Sequence, residues 1–260
     1  MLLDFIAPRH CAVCGMRLQT AEKTVCMSCL LDLNVSEYCG GESGNSLERT
    51  LWQQLPIRRA AAFMTYDHDD AQHEMVLHLK YHNQPRIGYH IGKLMSHQLT
   101  ESHFFDGVDM IVPVPIPYAR KAQRGYNQSE QLALGVSKAT GIPVNTHIIK
   151  RRPYRTSQTR LTAASRQQNI KGSFVLGTAR RLPLLKSRDL RALRGKHFLI
   201  VDDVITTTAT VQECGRTLCQ IPGVSVSVLS MAVSRNLINN IRRANPQDKE
   251  SVRRTLPLCN

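Results

Sequence analysis

Short apolar runs alternate along the chain with segments whose apolar residues recur at helical spacing. Ala60–Tyr66 and Val224–Val233 predict buried strands, and the continuous run Phe198–Val201 is typical of a parallel strand that is covered on both faces. Asp70–Tyr81 and Ile91–Leu99 predict helices after the first strand. This order predicts an α/β fold in which a parallel sheet is flanked by helices.

The run Phe198–Val201 is followed directly by two acids, Asp202 and Asp203, at which we expect the strand to end. Five small residues, Thr206–Thr210, then lead into Val211–Leu218, whose apolar spacing is helical. This order places two carboxylates at the carboxyl edge of a sheet and a turn at the start of a helix. Ligands of open α/β sheets bind at that edge, and free backbone amides at a helix start attract phosphate. The alternative is an ordinary buried strand followed by an Asp-rich helix cap.

A second strand end carries prolines and is followed by basic residues. The apolar segment Asp109–Pro117 must stop at its alternating prolines, because proline cannot donate to a β-ladder. The next segment, Arg120–Gln128, is rich in cations, and a helix is predicted from about Ser129 to Ala139, with Ser129 as its N-cap. The candidates for contacts with anions are therefore Arg120, Lys121 and Arg124.

Two Cys-x-x-Cys pairs near the amino end predict a metal site. Each pair forms a tight turn that presents two thiolates to one tetrahedral ion, and two pairs complete the shell. A site with four protein ligands and no position for water holds structural rather than catalytic zinc. The expected ligands are Cys11, Cys14, Cys26 and Cys29. Two redox-active pairs are the alternative. We interpret a fifth cysteine, Cys39, as a spare or as the remainder of a lost site.

Charge and targeting signals limit the partners and the location. The chain has 34 Lys and Arg against 20 Asp and Glu, which gives a net charge of +14. A surplus of this size favours polyanionic partners such as nucleic acid or a phosphorylated substrate, although solubility alone is the alternative explanation. The amino end lacks a signal-peptide pattern, and no apolar stretch approaches the roughly 20 residues that a membrane helix needs. We expect a cytoplasmic protein without a membrane partner, whose cysteines bind metal or stay as free thiols.

The stretch His197–Thr210 resembles the ribose-phosphate motif of type I phosphoribosyltransferases. In that family an acidic pair holds the ribose hydroxyls of phosphoribosyl pyrophosphate (PRPP), and a Thr/Gly-rich loop wraps its 5′-phosphate. The resemblance implies that Asp202 and Asp203 take the first role, as the catalytic residues. It implies that the second role falls to Thr206, Thr207, Thr208, Ala209 and Thr210. The family has Gly where this chain has Thr208. Because a β-branched residue adopts positive φ only at a cost, we expect a strained or reshaped loop there.

Three motifs, in this order, resemble those of the ComF/GntX proteins: the Pro-Val-Pro strand end, Arg-Gly-Tyr-Asn-Gln at Arg124–Gln128, and the acidic pair. That family fuses a four-cysteine zinc module to a type I phosphoribosyltransferase-like domain and is associated with natural competence and DNA uptake. The resemblance extends from Cys11 to about Arg235 and includes Arg151–Phe174, which corresponds to a mobile loop that closes over PRPP. A solvated basic loop is the alternative for that segment. The candidates for pyrophosphate or DNA contacts are Arg120, Lys121, Arg124, Arg152, Arg160 and Arg166.

These observations predict a zinc-binding module over residues 1–45, a phosphoribosyltransferase-like domain over residues 57–235, and a basic, disordered tail over residues 236–260. The expected function is the handling of incoming single-stranded DNA in competence, with a PRPP-type site that uses Mg²⁺ and a competence helicase as a candidate partner. Two alternatives stay open: an active Mg²⁺-dependent phosphoribosyltransferase of nucleotide metabolism, and a zinc-dependent adaptor for a protein partner. The sequence has no recognisable nucleobase pocket, so the acceptor, and whether the chain is an enzyme at all, stay open.

Overall fold

The structure is a computed structural model of the 260-residue chain, and it describes residues 8–52, 55–81, 83–152, 170–177 and 191–244. Its helices and strands follow one another along the chain. In order, they are α1 Met27–Leu31, α2 Ser46–Trp52, β1 Ile57–Tyr66, α3 Gln72–Tyr81, α4 Pro85–Leu99, β2 Met110–Pro113, α5 Tyr118–Arg124, α6 Gln128–Thr140, β3 Ile149–Arg151, β4 Phe174–Leu176, β5 His197–Ile205, α7 Ala209–Leu218, β6 Ser225–Ser234 and α8 Arg235–Ala244.

Four strands form one parallel sheet in the order β1-β6-β5-β2. These strands are apolar on both faces because helices cover each face. Met231 and Leu199 belong to the core beneath α3, α4 and α6, whereas Val228 and Phe198 belong to the core beneath α2, α7 and α8. The expected α/β fold with a parallel sheet flanked by helices is thus confirmed. β3 and β4 pair antiparallel in a separate two-stranded sheet.

The strand that carries the acid pair is longer than predicted. β5 continues through Asp202 and Asp203 to Ile205 and pairs with β6 in this stretch, with Asp202 beside Ser230 and Ile205 beside Val233. The prediction that the strand ends at the acids is therefore wrong. Acidic residues are tolerated inside a strand here because neighbouring elements supply their hydrogen bonds, as described below.

The helix after the basic segment begins one residue earlier than predicted, and its cap is a different residue. Asn127 is the N-cap of α6, and its side-chain oxygen accepts a hydrogen bond from the Ser129 amide at 3.2 Å. Its Nδ2 donates to the Val114 carbonyl at 3.0 Å, which joins the start of α6 to the end of β2. The prediction of Ser129 as the cap is wrong, and this leaves the Ser129 hydroxyl available for another contact.

Helices α4 and α6 cross closely enough that glycine is required at their contact. A Cβ placed on Gly92 would lie 2.2 Å from the Leu132 carbonyl oxygen, and one on Gly135 would lie 2.1 Å from the Tyr89 carbonyl oxygen. Any side chain at these positions would push the two helix backbones apart. The crossing therefore sets the height of α6, and of its first turn, above the sheet.

The segment that follows the four cysteines packs directly against β1. The Ser36 amide donates to the Phe63 carbonyl at 3.1 Å, and the Thr65 amide donates to the Asn34 carbonyl at 2.7 Å. Cys39 is buried in the same apolar core as the residues of β1. The chain is also closely packed just after Cys39, since a Cβ on Gly41 would lie 2.6 Å from a methyl carbon of Leu99. The boundary of a zinc module at residue 45 stays a prediction.

The predicted disordered tail begins instead with a helix. In α8, Arg235–Ala244, the side chains of Ile238 and Ile241 are buried against the layer that contains α2. Arg235 forms ion pairs with Asp67 and Asp70 beyond the end of β1. The expectation of disorder is wrong for residues 236–244, because this short segment has one apolar face that covers the sheet. Residues 245–260 lie outside the described part of the chain.

Within the described ranges, no helix combines the length and the apolar character that crossing a membrane requires.

Candidate functional site

The acid pair lies near the carboxyl end of β5, with its two side chains on opposite faces because successive strand residues alternate. Asp202 is buried, whereas Asp203 is partly exposed. Oδ1 of Asp202 accepts hydrogen bonds from the Ser129 hydroxyl at 3.2 Å and from the Asp203 amide at 2.9 Å. Burial, reinforced by the neighbouring charge of Asp203, raises the pKa of Asp202 to about 7. One acid of the pair can therefore hold a proton near neutral pH.

Asp203 has a cationic partner that the sequence did not reveal. The Lys80 ammonium, on the last turn of α3, lies 3.4 Å from Oδ2 of Asp203, and both side chains are mostly buried. Oδ1 of Asp203 accepts a hydrogen bond from the Val204 amide at 2.9 Å. An ammonium in this position compensates part of the negative charge of the acid pair, which an anionic ligand would otherwise meet.

Residues 206–208 connect β5 to α7, and Ala209 and Thr210, which were predicted to precede the helix, form its first turn. Thr208 has φ −72° and ψ −10°, which is an ordinary right-handed conformation. Of the two expectations at Thr208, strain is wrong and a reshaped loop stays a prediction: α7 starts immediately after Thr208, and its carbonyl accepts a helical hydrogen bond from the Gln212 amide at 2.9 Å. The first amides of a helix have no partner within the helix, so the loop and the first turn of α7 can receive an anionic group.

Each residue of the segment Arg124–Gln128 has an identifiable contact. Gly125 ends α5 with φ 78°, a conformation that favours glycine. The hydroxyl of Tyr126, which is buried, donates to the Leu79 carbonyl of α3, and Asn127 caps α6 and bonds to the end of β2. Nη1 of Arg124 donates to the side-chain oxygen of Gln128 at 3.0 Å. The motif thus fixes α3, β2 and α6 to one another beside the acid pair.

The candidate cations lie on different elements of the structure. Arg120 and Lys121 are exposed on α5, and the Lys121 ammonium lies 3.4 Å from a carboxylate oxygen of Glu130. The Arg124 guanidinium lies over the ring of Tyr81, the residue that follows Lys80. Arg152 is exposed after β3, and its amide donates to the Ser173 carbonyl. Arg160 and Arg166 lie outside the described residues.

The four predicted metal ligands come together. The sulfur atoms of Cys11, Cys14, Cys26 and Cys29 all lie within 4.8 Å of one another, so this cluster could hold a metal ion. The amides of Val13 and Cys26 donate to the Cys11 sulfur at 3.4 and 3.3 Å. Burial opposes ionisation of Cys11, yet backbone hydrogen bonds outweigh it and lower the pKa of this thiol to about 7. Cys39 is outside the cluster, in keeping with its interpretation as a spare.

Two residues of the site were missed or misassigned from the sequence. Lys80 closes a predicted helix, and nothing in its local pattern shows that the crossover from β1 brings it to Asp203. Ser129 was assigned to a helix cap, whereas its hydroxyl contacts Asp202. Fold and site together define an α/β protein with an acidic site at the carboxyl edge of a parallel sheet and an N-terminal four-cysteine cluster.

The chain is similar to proteins named for competence and DNA utilization. It is 25% identical over 237 residues to competence protein F of Haemophilus influenzae, which covers 86% of this chain and 96% of that protein. It is 28% identical over 222 residues to DNA utilization protein YhgH of Escherichia coli K12, which covers 84% of this chain and 87% of that protein. These homologues confirm the resemblance to the ComF family. No protein-family model matches the chain.

Two solved structures show partial similarity to the chain. The allosteric regulatory enzyme of purine biosynthesis is 18% identical, with a TM-score of 0.36; the match covers 58% of this chain and 29% of that one, so this chain spans less than a third of the enzyme. A hypoxanthine phosphoribosyltransferase from Staphylococcus aureus is 14% identical, with a TM-score of 0.34, and the match covers 62% of this chain and 72% of that one.

Proposed function

We propose that the chain acts in DNA uptake and use by handling incoming single-stranded DNA in the cytoplasm, and that its acid pair and following loop bind a PRPP-type ribose phosphate. One observation supports the ligand site most strongly. Asp202 and Asp203 lie shortly before the start of α7, at the carboxyl edge of a parallel sheet. The names of the two relatives support the DNA role.

The chemistry of the side chains gives each group a role in this proposal. Asp202 and Asp203 hold ribose hydroxyls, and carboxylates so placed favour positive charge that develops on the ribose when pyrophosphate leaves. Thr206–Thr210 and the first amides of α7 hold the 5′-phosphate. Mg²⁺, when bound with PRPP, supplies positive charge to the pyrophosphate. The candidate arginines and lysine serve pyrophosphate or DNA phosphates, because guanidinium and ammonium groups suit both.

The four-cysteine cluster holds zinc in this proposal and stabilises an N-terminal module of residues 1–45 beside a main domain of residues 57–235. A closed shell of four thiolates leaves no position for a reacting water, so the zinc is structural. The competence helicase is the candidate partner of this module. Cys14→Ser should therefore abolish the binding of the helicase to the chain.

Isothermal titration of PRPP with Mg²⁺ into the wild type, Asp203→Asn and Lys138→Gln tests the ligand site. Lys138 is an exposed cation near the end of α6 and serves as the matched control. Binding to the wild type and to Lys138→Gln, with a loss of at least about tenfold in Asp203→Asn, supports the proposal. Absence of heat from all three proteins excludes a working PRPP site.

The DNA role is tested separately, by retardation of single strands in gels at increasing salt. Binding through phosphates releases counterions, so affinity should fall steeply as salt rises. No retardation at low salt, or an affinity that does not change with salt, contradicts the DNA role and leaves the PRPP result unaffected.

A further inference from the structure

We propose that one surface around α5 is where the chain binds single-stranded DNA, with bases stacked on two tyrosines and phosphates held by three cations. We call it the aromatic–basic surface, and it consists of Tyr81, Tyr118, Arg120, Lys121 and Arg124. The inference rests on the proposed DNA function and deepens it by naming the contact residues. It also assigns three of the candidate cations to DNA rather than to pyrophosphate.

Exposed aromatic rings are the first observation. Tyr118 is 87% exposed and Tyr81 is 62% exposed, although the chain has only 5% aromatic residues and its core is built largely from aliphatic side chains. A tyrosine ring that is left in water next to cations is a suitable platform for a nucleobase, since every base has a π-face.

The second observation is the arrangement of charge around these rings. The Arg124 guanidinium carbon lies 5.0 Å from the centre of the Tyr81 ring, which is a cation–π contact. Arg120 and Lys121 are exposed on the same short helix that begins with Tyr118. The Lys121–Glu130 pair is exposed and 3.4 Å long, and exposed pairs of this kind contribute at most about 1 kcal/mol, so a DNA phosphate can replace the carboxylate.

The surface is held in place by buried contacts. The Tyr126 hydroxyl donates to the Leu79 carbonyl, two residues before Tyr81, and so fixes the end of α3 to the segment that follows α5. Nη1 of Arg124 is positioned by the Gln128 side chain at 3.0 Å. A binding surface whose side chains are already ordered loses less entropy when a strand binds.

The surface adjoins the acidic site through consecutive residues of α3. Tyr81 belongs to the aromatic–basic surface, and Lys80 lies 3.4 Å from Asp203. The aromatic–basic surface and the candidate ribose-phosphate site are therefore linked through the last turn of α3. Stacking on exposed rings requires bases that are not paired, and this favours a single strand over a duplex. Pyrophosphate has no ring and would leave both tyrosines without a role.

The experiment compares a short oligothymidylate with an abasic strand of the same length, by fluorescence anisotropy of labelled strands bound to the full chain. The abasic strand keeps the phosphates and lacks the bases. Stacking contributes about 1–3 kcal/mol per base, so the wild type should bind the oligothymidylate at least about fivefold more tightly. Tyr81→Leu/Tyr118→Leu should lose this preference and keep the wild-type affinity for the abasic strand. Tyr118→Phe, which retains the ring, should bind as the wild type does.

The cations are tested by the salt dependence of binding. Each lost phosphate contact lowers the slope of log affinity against log salt by about 0.7 for single strands, so Arg120→Gln/Lys121→Gln should reduce it by about 1.4. Lys138→Gln should leave the slope unchanged. Circular dichroism and zinc content show that each variant is folded.

The outcomes separate this inference from the proposed function. If the wild type binds neither strand, the DNA function itself fails. If the wild type binds single strands but the tyrosine variant keeps its preference for bases, only the aromatic–basic surface is excluded. If Arg120→Gln/Lys121→Gln loses the heat of PRPP binding while its salt slope for DNA is unchanged, the cations belong to pyrophosphate and the inference is overturned.

Discussion

The Ser129 hydroxyl donates to Oδ1 of Asp202 at 3.2 Å, across 73 positions of the sequence. This bond connects the first turn of α6 to the acid pair on β5. Oδ1 also accepts a hydrogen bond from the Asp203 amide. The two hydrogen bonds together explain how a carboxyl group can lie buried inside a strand. Burial still disfavours the ionised form, and the pKa of Asp202 is raised to about 7. The stability of the fold should therefore depend on the protonation of one site residue.

Asp202→Asn should stabilise the protein at high pH. The unfolded carboxyl titrates near 3.8 and the folded one near 7, so the wild type loses stability as pH rises from about 4 to about 7. Asparagine does not ionise, and its side-chain oxygen can still accept from Ser129. At a pH of about 8 the variant should exceed the wild type by as much as about 4 kcal/mol, with little difference at about pH 4. Urea unfolding at both pH values, followed by the fluorescence of Trp52, measures this.

Asp109→Asn is the control, because its effect on stability should depend on pH in the opposite direction. The Lys196 ammonium, 2.6 Å from Oδ1, together with the His197 amide, lowers the pKa of Asp109. The stability that Asp109 contributes is present at neutral pH and is lost as pH falls through its lowered folded pKa. This variant should therefore be less stable than the wild type at neutral pH and approach it in acid. If the free energies of unfolding of Asp202→Asn and the wild type changed in parallel with pH, the buried-carboxyl interpretation would be contradicted.

Much of the fold follows from local pattern, whereas several details of the site depend on distant residues. The apolar runs predicted β1, β5 and β6 because both faces of a parallel sheet are buried, and the spacing of the cysteines predicted their convergence. The polarity of Asp202 and Asp203 predicted the end of β5, yet the strand continues to Ile205 because Ser129 and Lys80 provide partners for the acids. Such partners come from helices elsewhere in the chain and leave no local signal.

Thr208 and α8 are two further places where the sequence alone predicted the wrong conformation. The comparison with a glycine-containing loop predicted strain at Thr208, but that prediction needs a positive φ, and the backbone there is already helical. The charges of the segment after residue 235 suggested disorder, whereas Ile238 and Ile241 are spaced to cover the sheet. In both places the conformation depends on what lies next to the segment in space.

Lys80→Met should weaken the binding of PRPP with Mg²⁺ by about tenfold, if the acid pair is the ligand site. Without the ammonium, the two acids present more uncompensated negative charge to an anionic ligand. Lys80→Arg should retain most of the affinity, and Lys138→Met controls for the loss of one positive charge. Isothermal titration provides the affinities. Tighter binding by Lys80→Met would mean that the lysine competes with the ligand for Asp203.

Cys14→Ser should remove the metal, whereas Cys39→Ala should not. Cys14 contributes one of four sulfur atoms that lie within 4.8 Å of one another, and Cys39 is buried in the apolar core instead. We expect about one zinc per chain in the wild type and in Cys39→Ala, and a marked loss in Cys14→Ser. Metal analysis of the purified proteins, with thermal unfolding before and after chelation, measures both effects. A metal-free wild type with two disulfides among these cysteines would favour the redox alternative.

Gly92→Ala should destabilise the fold by roughly 2 kcal/mol, although alanine is the better helix former by about 1 kcal/mol. The added Cβ would lie 2.2 Å from the Leu132 carbonyl oxygen, so α4 and α6 would have to separate along their crossing. Separation also moves the first turn of α6, and with it the Ser129 hydroxyl, away from Asp202. Gly40→Ala is the matched control, because its Cβ would meet only the Glu42 side chain at 3.9 Å. Urea unfolding followed by circular dichroism gives both free energies, and equal stability of Gly92→Ala and the wild type would show that the crossing can widen without cost.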